Sequence, residues 1–211
     1  MHQVLLRGAA APLESVALGA TRIAGPPDLP AGMDWPGFEG RRLPLVLQLA
    51  LADVAAFPAA ARLPSGGTLW FFAAQLADWP ARPAMIDVPA AVRWAPVDTE
   101  LVRATLPSEA SDESYWDTFA VSRIVEWRAS EAETEDNEER DDQWHVLFPT
   151  RKDSSPWGLL PPDGFVPVLE MRSDYMIDMN WGDGAWATWV VSAADLRAQR
   201  FDRATANVWI G

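Results

Sequence analysis

The sequence predicts one sheet-rich α+β domain, and three observations carry that reading. Short apolar runs rich in β-branched and aromatic residues recur along the chain, clearest at 43–51 and 68–75. Helical patterns are brief and lie between or after such runs, at 51–64 and 193–201. A length of 211 residues suits one domain. Within it an acidic run at 131–142 joins two halves, 1–130 and 143–211, that read as two related β units with short helices.

The elements follow in order. The start, MHQVLLRGAAAPLESVALG, has no clean basic region ahead of its apolar residues, and Glu14 follows soon after, so no secretory leader is expected. Residues 22–44 hold Pro26, Pro27, Pro30, Pro36 and Pro44 with Gly25, Gly32, Gly37 and Gly40, which forbids a helix or a central strand. Trp35 and Phe38 within it predict an ordered loop pinned by its aromatics. The run 43–51 reads as a strand buried on both faces. Segment 51–64 reads as short helical turns broken at Pro58, Ser65-Gly66-Gly67 as a turn, and 68–75 as a second strand. The stretches 91–97 and 120–127 alternate in polarity as half-buried strands do. FVPVLEM at 165–171 and AWATWVV at 185–191 are strands, with Asp183-Gly184 as a hairpin signal between them. Ser192 caps a helix over 193–201 with Asp195 three residues on, and 204–210 is a closing strand. One pattern occurs twice: apolar strand, excursion, glycine turn, aromatic strand. It predicts that 44–49 pairs with 68–72, and 166–171 with 185–191.

Composition excludes more than it assigns. Seventeen basic residues against thirty acidic ones give a net charge of −13. Nucleic acid and anionic membrane are thereby disfavoured as partners, being negative themselves. The chain has no Cys, so disulfides, thiolate zinc sites, iron–sulfur clusters and thiol catalysis are out. The longest apolar stretch, 44–61, is interrupted by Gln48, Asp53 and Pro58, so no membrane helix is expected. The expected compartment is the cytoplasm. No Walker spacing, G-x-G-x-x-G or G-x-S-x-G motif occurs, and no cofactor is predicted.

Three blocks carry a family resemblance. The first runs Ala24-Gly25-Pro26-Pro27-Asp28-Leu29-Pro30 and closes on Trp35-Pro36. The second is the proline-led strand 44–49, then Leu63-Pro64 and Gly67-Thr68-Leu69-Trp70-Phe71-Phe72. The third is Asn180-Trp181-Gly182-Asp183-Gly184, Trp189, Asp195-Leu196 and Arg200-Phe201-Asp202-Arg203. In this order, over most of the chain, they resemble the YwqG-like family, DUF1963, a bacterial domain of unknown function. Family members tend to carry Gly-Gly where this chain has Ala24-Gly25, and His145-Val146-Leu147-Phe148-Pro149 keeps only the outline of the family's middle. The resemblance implies a sheet-rich α+β fold and no particular reaction.

The candidate residues divide by chemistry. His145, the only His inside the chain, is the catalytic candidate, a general base beside nearby acids; its plain role is a strand-edge His bonded to backbone. Asp174, Asp178 and Asp183 are the metal candidates, since hard cations take oxygen ligands, although turn and cap roles explain the cluster as well. Twelve Trp is the most unusual count. Trp70, Trp186 and Trp189 lie in apolar strands and read as core. Trp35, Trp79 and Trp157 lie in Pro- or Gly-rich segments and are the binding candidates. The run 131–142 holds eight acids and one Arg, −7 in twelve residues, which cannot be desolvated together. Its Glu133, Glu135, Asp136 and Glu138 are candidates for docking a basic protein. The favoured function is a non-catalytic protein-binding module, such as an immunity protein held against a basic toxin. The alternatives are a small-molecule or carbohydrate binder using exposed Trp, and an enzyme of unrecognised type using His145 or the Asp cluster.

Overall fold

A computed structural model of the chain describes residues 2–74, 84–105, 121–131, 144–149, 163–182 and 185–210. Its strands are β1 (His2–Ala10), β2 (Arg22–Ile23), β3 (Asp28–Pro30), β4 (Gly37–Phe38), β5 (Arg41–Arg42), β6 (Leu45–Ala50), β7 (Thr68–Ala73), β8 (Ala84–Val88), β9 (Ala90–Ala95), β10 (Leu101–Arg103), β11 (Ser122–Glu131), β12 (His145–Leu147), β13 (Phe165–Arg172), β14 (Trp186–Ser192) and β15 (Thr205–Ile210). Eleven of them form one sheet in the order β8-β15-β14-β13-β12-β1-β11-β2-β6-β7-β9, and every pairing is antiparallel.

The two ends of this sheet, β8 and β9, are consecutive in the chain with only Pro89 between them. The sheet therefore has to curl until its ends meet. Six strands separate β14 from β7 in the order, yet the Phe71 and Trp189 rings meet edge to face at 5.9 Å and Trp189 Nε1 donates to the Phe72 carbonyl at 3.3 Å. These contacts cross the interior of a barrel. Register shifts at Arg7/Gly8, Leu45/Leu47 and Pro167/Leu169 supply bends, and Pro167 sits at one of them, where its missing N–H costs least. Alternate residues of the strands, such as Val4 and Leu6, Leu69 and Phe71, and Leu169 and Met171, fill the inside as one core.

The α+β expectation is corrected here. Among the described residues the α-helix α1 (Ala193–Arg197) stands alone, and the protein is β-rich. A sheet that closes on itself covers its own apolar face, so no helical layer is needed to do so. Segment 51–64 forms two 3₁₀ turns, and Pro58 opens the second instead of breaking a helix. The Ser192 cap is present: its Oγ accepts from the Asp195 amide at 3.0 Å and donates to the Asp195 carboxylate at 2.7 Å. The helix stops four residues short of the expected 201, and Phe201–Arg203 is a separate 3₁₀ turn.

Both expected hairpin pairings form, as β6 with β7 and β13 with β14. Segment 22–44 does supply a sheet strand, because β2 precedes its prolines and sits between β11 and β6. The remainder lies over the outer face of β6 and β7, where Leu29, Leu43, Leu45, Trp70 and Phe72 make a second core with Trp35 packed against it. Phe38 pins nothing there; it is exposed on the β4–β5 hairpin. No helix among the described residues is long and apolar enough to cross a membrane.

Gly67, just before β7, is fixed by this geometry. Its φ is +99°, and a Cβ would stand 2.0 Å from the Ala95 carbonyl oxygen. Gly32 also has positive φ, with nothing within 4 Å of the same position. Gly32→Ala should cost about 1 kcal/mol, the left-handed penalty alone, and Gly67→Ala about 3 kcal/mol or more. Equilibrium urea denaturation measures both; equal midpoints would show that the turn leading into β7 yields freely against the end of β9.

Candidate functional site

His145 opens β12, wedged between β1 and β13, and its side chain shares the inward face of Leu147 and Leu6. It has no solvent exposure. Nδ1 accepts from the Arg172 backbone N–H at 3.2 Å, so the neutral ring carries its proton on Nε2. Nε2 lies 3.8 Å from Asp174 Oδ2. Burial above all, then the Arg172 charge, lowers the His145 pKa from 6.5 to about 3, with Glu170 opposing in part. The approach to Asp174 is thus made by a neutral ring N–H. A sealed imidazole that protonates only in strong acid is poorly suited to serve as a base toward an external substrate at neutral pH.

Asp174 begins a loop between β13 and β14 that an isolated bridge to Met179 closes. Asp174 N–H donates to the Met179 carbonyl at 2.7 Å, and Met179 N–H to the Asp174 carbonyl at 2.9 Å. Asp174 Oδ1 accepts from the Met176 amide at 2.9 Å. The Ser173 hydroxyl donates to the Gly182 carbonyl at 2.9 Å and accepts from the Trp181 amide at 3.0 Å. Ile177, Met179 and Trp181 are buried beneath, whereas Asp178, at φ +54°, points outward. Asp174 and Asp178 therefore do not converge, and Asp183 lies outside the described residues. Among the described residues no group of three His, Asp or Glu could hold a metal.

A second polar centre was not legible in the sequence. Asp28 and Arg22 are fully buried and joined by Arg22 Nη1 to Asp28 Oδ2 at 2.8 Å. Arg103 Nε reaches Asp28 Oδ1 at 2.8 Å, and the Gly19 amide and Gln48 Nε2 reach Oδ2 at 2.8 and 3.0 Å. Gln48 Oε1 in turn accepts from the Asp28 amide and from Trp70 Nε1, both at 2.9 Å. Burial alone would raise the Asp28 pKa. The bonds from Arg103, Gln48 and Gly19, with the Arg22 charge, outweigh it and bring it down to about 2. The cluster staples β2, β3, β6, β7 and β10 together. Its signal is absent from local spacing because Arg103 lies 75 residues from Asp28.

Of the Trp candidates, Trp35 is half-buried, its indole N–H is bonded to the Leu43 carbonyl at 2.8 Å, and Arg42 lies over its ring at 5.2 Å. Trp79, Trp157, Glu133, Glu135, Asp136 and Glu138 lie outside the described residues. Trp70 and Trp189 are fully buried, and Trp186 stacks on Trp209 at 4.2 Å.

The family described as Domain of unknown function (DUF1963) matches residues 21–209. The chain belongs to the DUF1963 family. No curated protein matches it. The match spans all three sequence blocks and both polar centres of this DUF1963 domain. Its first block has a backbone reason to favour glycine: Ala24 and Gly25 stand at φ 59° and 78°, both left-handed.

The His145 environment sets a pH dependence. A group whose folded pKa is depressed contributes stability that is complete above its unfolded pKa and is lost as pH falls toward the folded value. For His145 that window runs from about 6.5 down to about 3. Between pH 7 and pH 5 the protein should lose about 2 kcal/mol from this group. In His145→Asn, whose amide oxygen can still accept from Arg172, stability at pH 7 should drop but that slope should vanish. Urea titrations at the two pH values measure it, and a flat wild-type profile would contradict the assignment.

Proposed function

We propose that this DUF1963 domain is a non-catalytic protein-binding module that receives a basic protein, as an immunity protein receives a basic toxin. One observation carries the reading. The run at 131–142 holds eight acids and one Arg, −7 of the chain's −13 in twelve residues. Charge concentrated in this way raises the encounter rate with a cationic partner. Burial of His145, and of Asp28 with its partners, leaves these groups occupied in holding the fold.

Screening over about 8 Å at physiological salt makes such steering easy to detect. The wild-type chain and a variant with Glu133, Glu135, Asp136 and Glu138 changed to Gln are immobilised. Clarified extract of the native cells is passed over both at about 50 and about 300 mM salt. The expected result is a retained protein rich in Lys and Arg. Its association slows several-fold with salt and in the variant, while dissociation is little changed. Retention of no basic protein, or retention indifferent to salt and to the four substitutions, contradicts the proposal.

A further inference from the structure

We infer that Leu18, Val97 and Val102 form the apolar contact of the surface that receives this basic protein, with Glu14, Asp53, Asp98 and Glu100 as its charged rim. The inference rests on the protein-binding reading and names where that partner seats. Leu18, Val97 and Val102 are 55%, 65% and 56% exposed. They come from two stretches far apart in sequence, 13–21 and 96–103, which the buried Asp28 centre brings together. Arg103 Nε holds Asp28 Oδ1 at 2.8 Å. Its Nη1 and Nη2 reach back to the carbonyls of Leu13 at 3.3 Å, Val16 at 3.0 Å and Ala17 at 3.4 Å. The Gly19 amide donates to Asp28 as well, and a Cβ on Gly19 would lie 3.3 Å from Leu101 Cδ1. Leu18 is thus set beside the start of β10, whose Leu101 has Glu100 and Val102 as chain neighbours. The turn before β10 is fastened too. Thr99 Oγ1 donates to the Pro96 carbonyl at 2.7 Å, and Val97 Cβ would stand 3.5 Å from a Cβ on Gly66. Side chains presented on fastened backbone lose little freedom on binding.

The charge on this face selects the occupant. Glu14, Asp53, Asp98 and Glu100 are all exposed, and the Thr21 hydroxyl ties Asp53 to the first stretch at 2.6 Å. Across 13–21, 51–54 and 96–103 the one basic residue is Arg103, and its charge is spent on buried Asp28. None of the four rim carboxylates has an ion-pair partner among the described residues. Exposed aliphatic side chains mean little singly. Gathered on clamped backbone and ringed by unneutralised carboxylates, they suit a protein with an apolar hollow rimmed by Lys and Arg. Two copies of this chain meeting through this face would set carboxylate against carboxylate. The net charge of −13 steers the partner from a distance, and this face supplies the contact.

The test places the photoreactive residue p-benzoylphenylalanine at position 102 and, as control, at 175. Tyr175 is more exposed still, at 68%, but follows β13, five strands from β6 in the sheet order. Irradiation of the native cells should give an adduct at 102 and not at 175, with a protein carrying excess Lys and Arg. That protein, purified, should leave the Leu18→Ala, Val102→Ala double variant about 30-fold faster than wild type. The triple variant Glu14→Gln, Asp98→Asn, Glu100→Gln should instead associate several-fold more slowly at low salt. Asn is chosen at 98 because it tolerates the left-handed backbone there, at φ 66°. All five side chains are exposed, so unchanged melting of both variants separates lost contact from lost fold. If a basic partner is found but crosslinks at 175 as readily, or dissociates from the double variant at the wild-type rate, this face is not the contact while the protein-binding reading stands. An adduct with a second copy, or with an acidic protein, overturns the inference, and the absence of any basic partner overturns both.

Discussion

Closure of the sheet at Pro89 is the constraint on which the rest depends. One stretch of chain pairs first with β15 and then, past the proline, with β7, so the two ends of an eleven-stranded sheet are made by neighbouring residues. The barrel interior must then be filled by its own side chains, and Phe71, Trp181 and Trp189 do much of that, ring against ring. A filled interior has two consequences. It removes the need for helices, and it seals any polar residue that faces inward.

His145 is such a residue. Its neighbours on the inward face are Leu147 and Leu6, and its ring accepts a backbone N–H that would otherwise lack a partner on that side. Asp28 plays the matching part on the outer face, where it holds the lead-in segment against β6 and β7 through two arginines and Gln48. A buried ion pair of this kind adds little net stability, but removal of one partner strands the other, at a cost of about 3–5 kcal/mol. The inside of the domain is therefore occupied with its own architecture. Under the proposed reading, recognition belongs to the outer surface and its loops, the usual place for function on a rigid scaffold.

Much of the sheet was readable from local pattern. The apolar and aromatic runs at 44–49, 68–72, 166–171 and 185–191 became paired strands because β-branched and aromatic residues mark them and glycine turns bound them. The Ser192 cap was likewise local. What local pattern did not give was long-range. The apolar start of the chain carries no local mark of its partners, yet as β1 it sits near the middle of the sheet, between β12 and β11. Short Ala-rich stretches suit helix or 3₁₀ turn alike, and 51–53, 58–62 and 201–203 take the 3₁₀ form. Asp174 and Asp178 drew attention as oxygen ligands. Leu18, Val97 and Val102 are marked by no spacing, since exposure is a tertiary property. Trp35 was expected at a binding surface and is half-buried over the second core, with its N–H already bonded.

The account holds that the polar groups inside the barrel are sealed and structural, so that recognition belongs to the outside. The most direct measurement is a ¹⁵N NMR titration of the His145 imidazole in the intact chain. The account predicts a single neutral tautomer, protonated on Nε2, unchanged from about pH 8 to about pH 5. A His145 that titrates near the ordinary value of 6.5 would contradict it, because that ring would be in contact with water and open to chemistry.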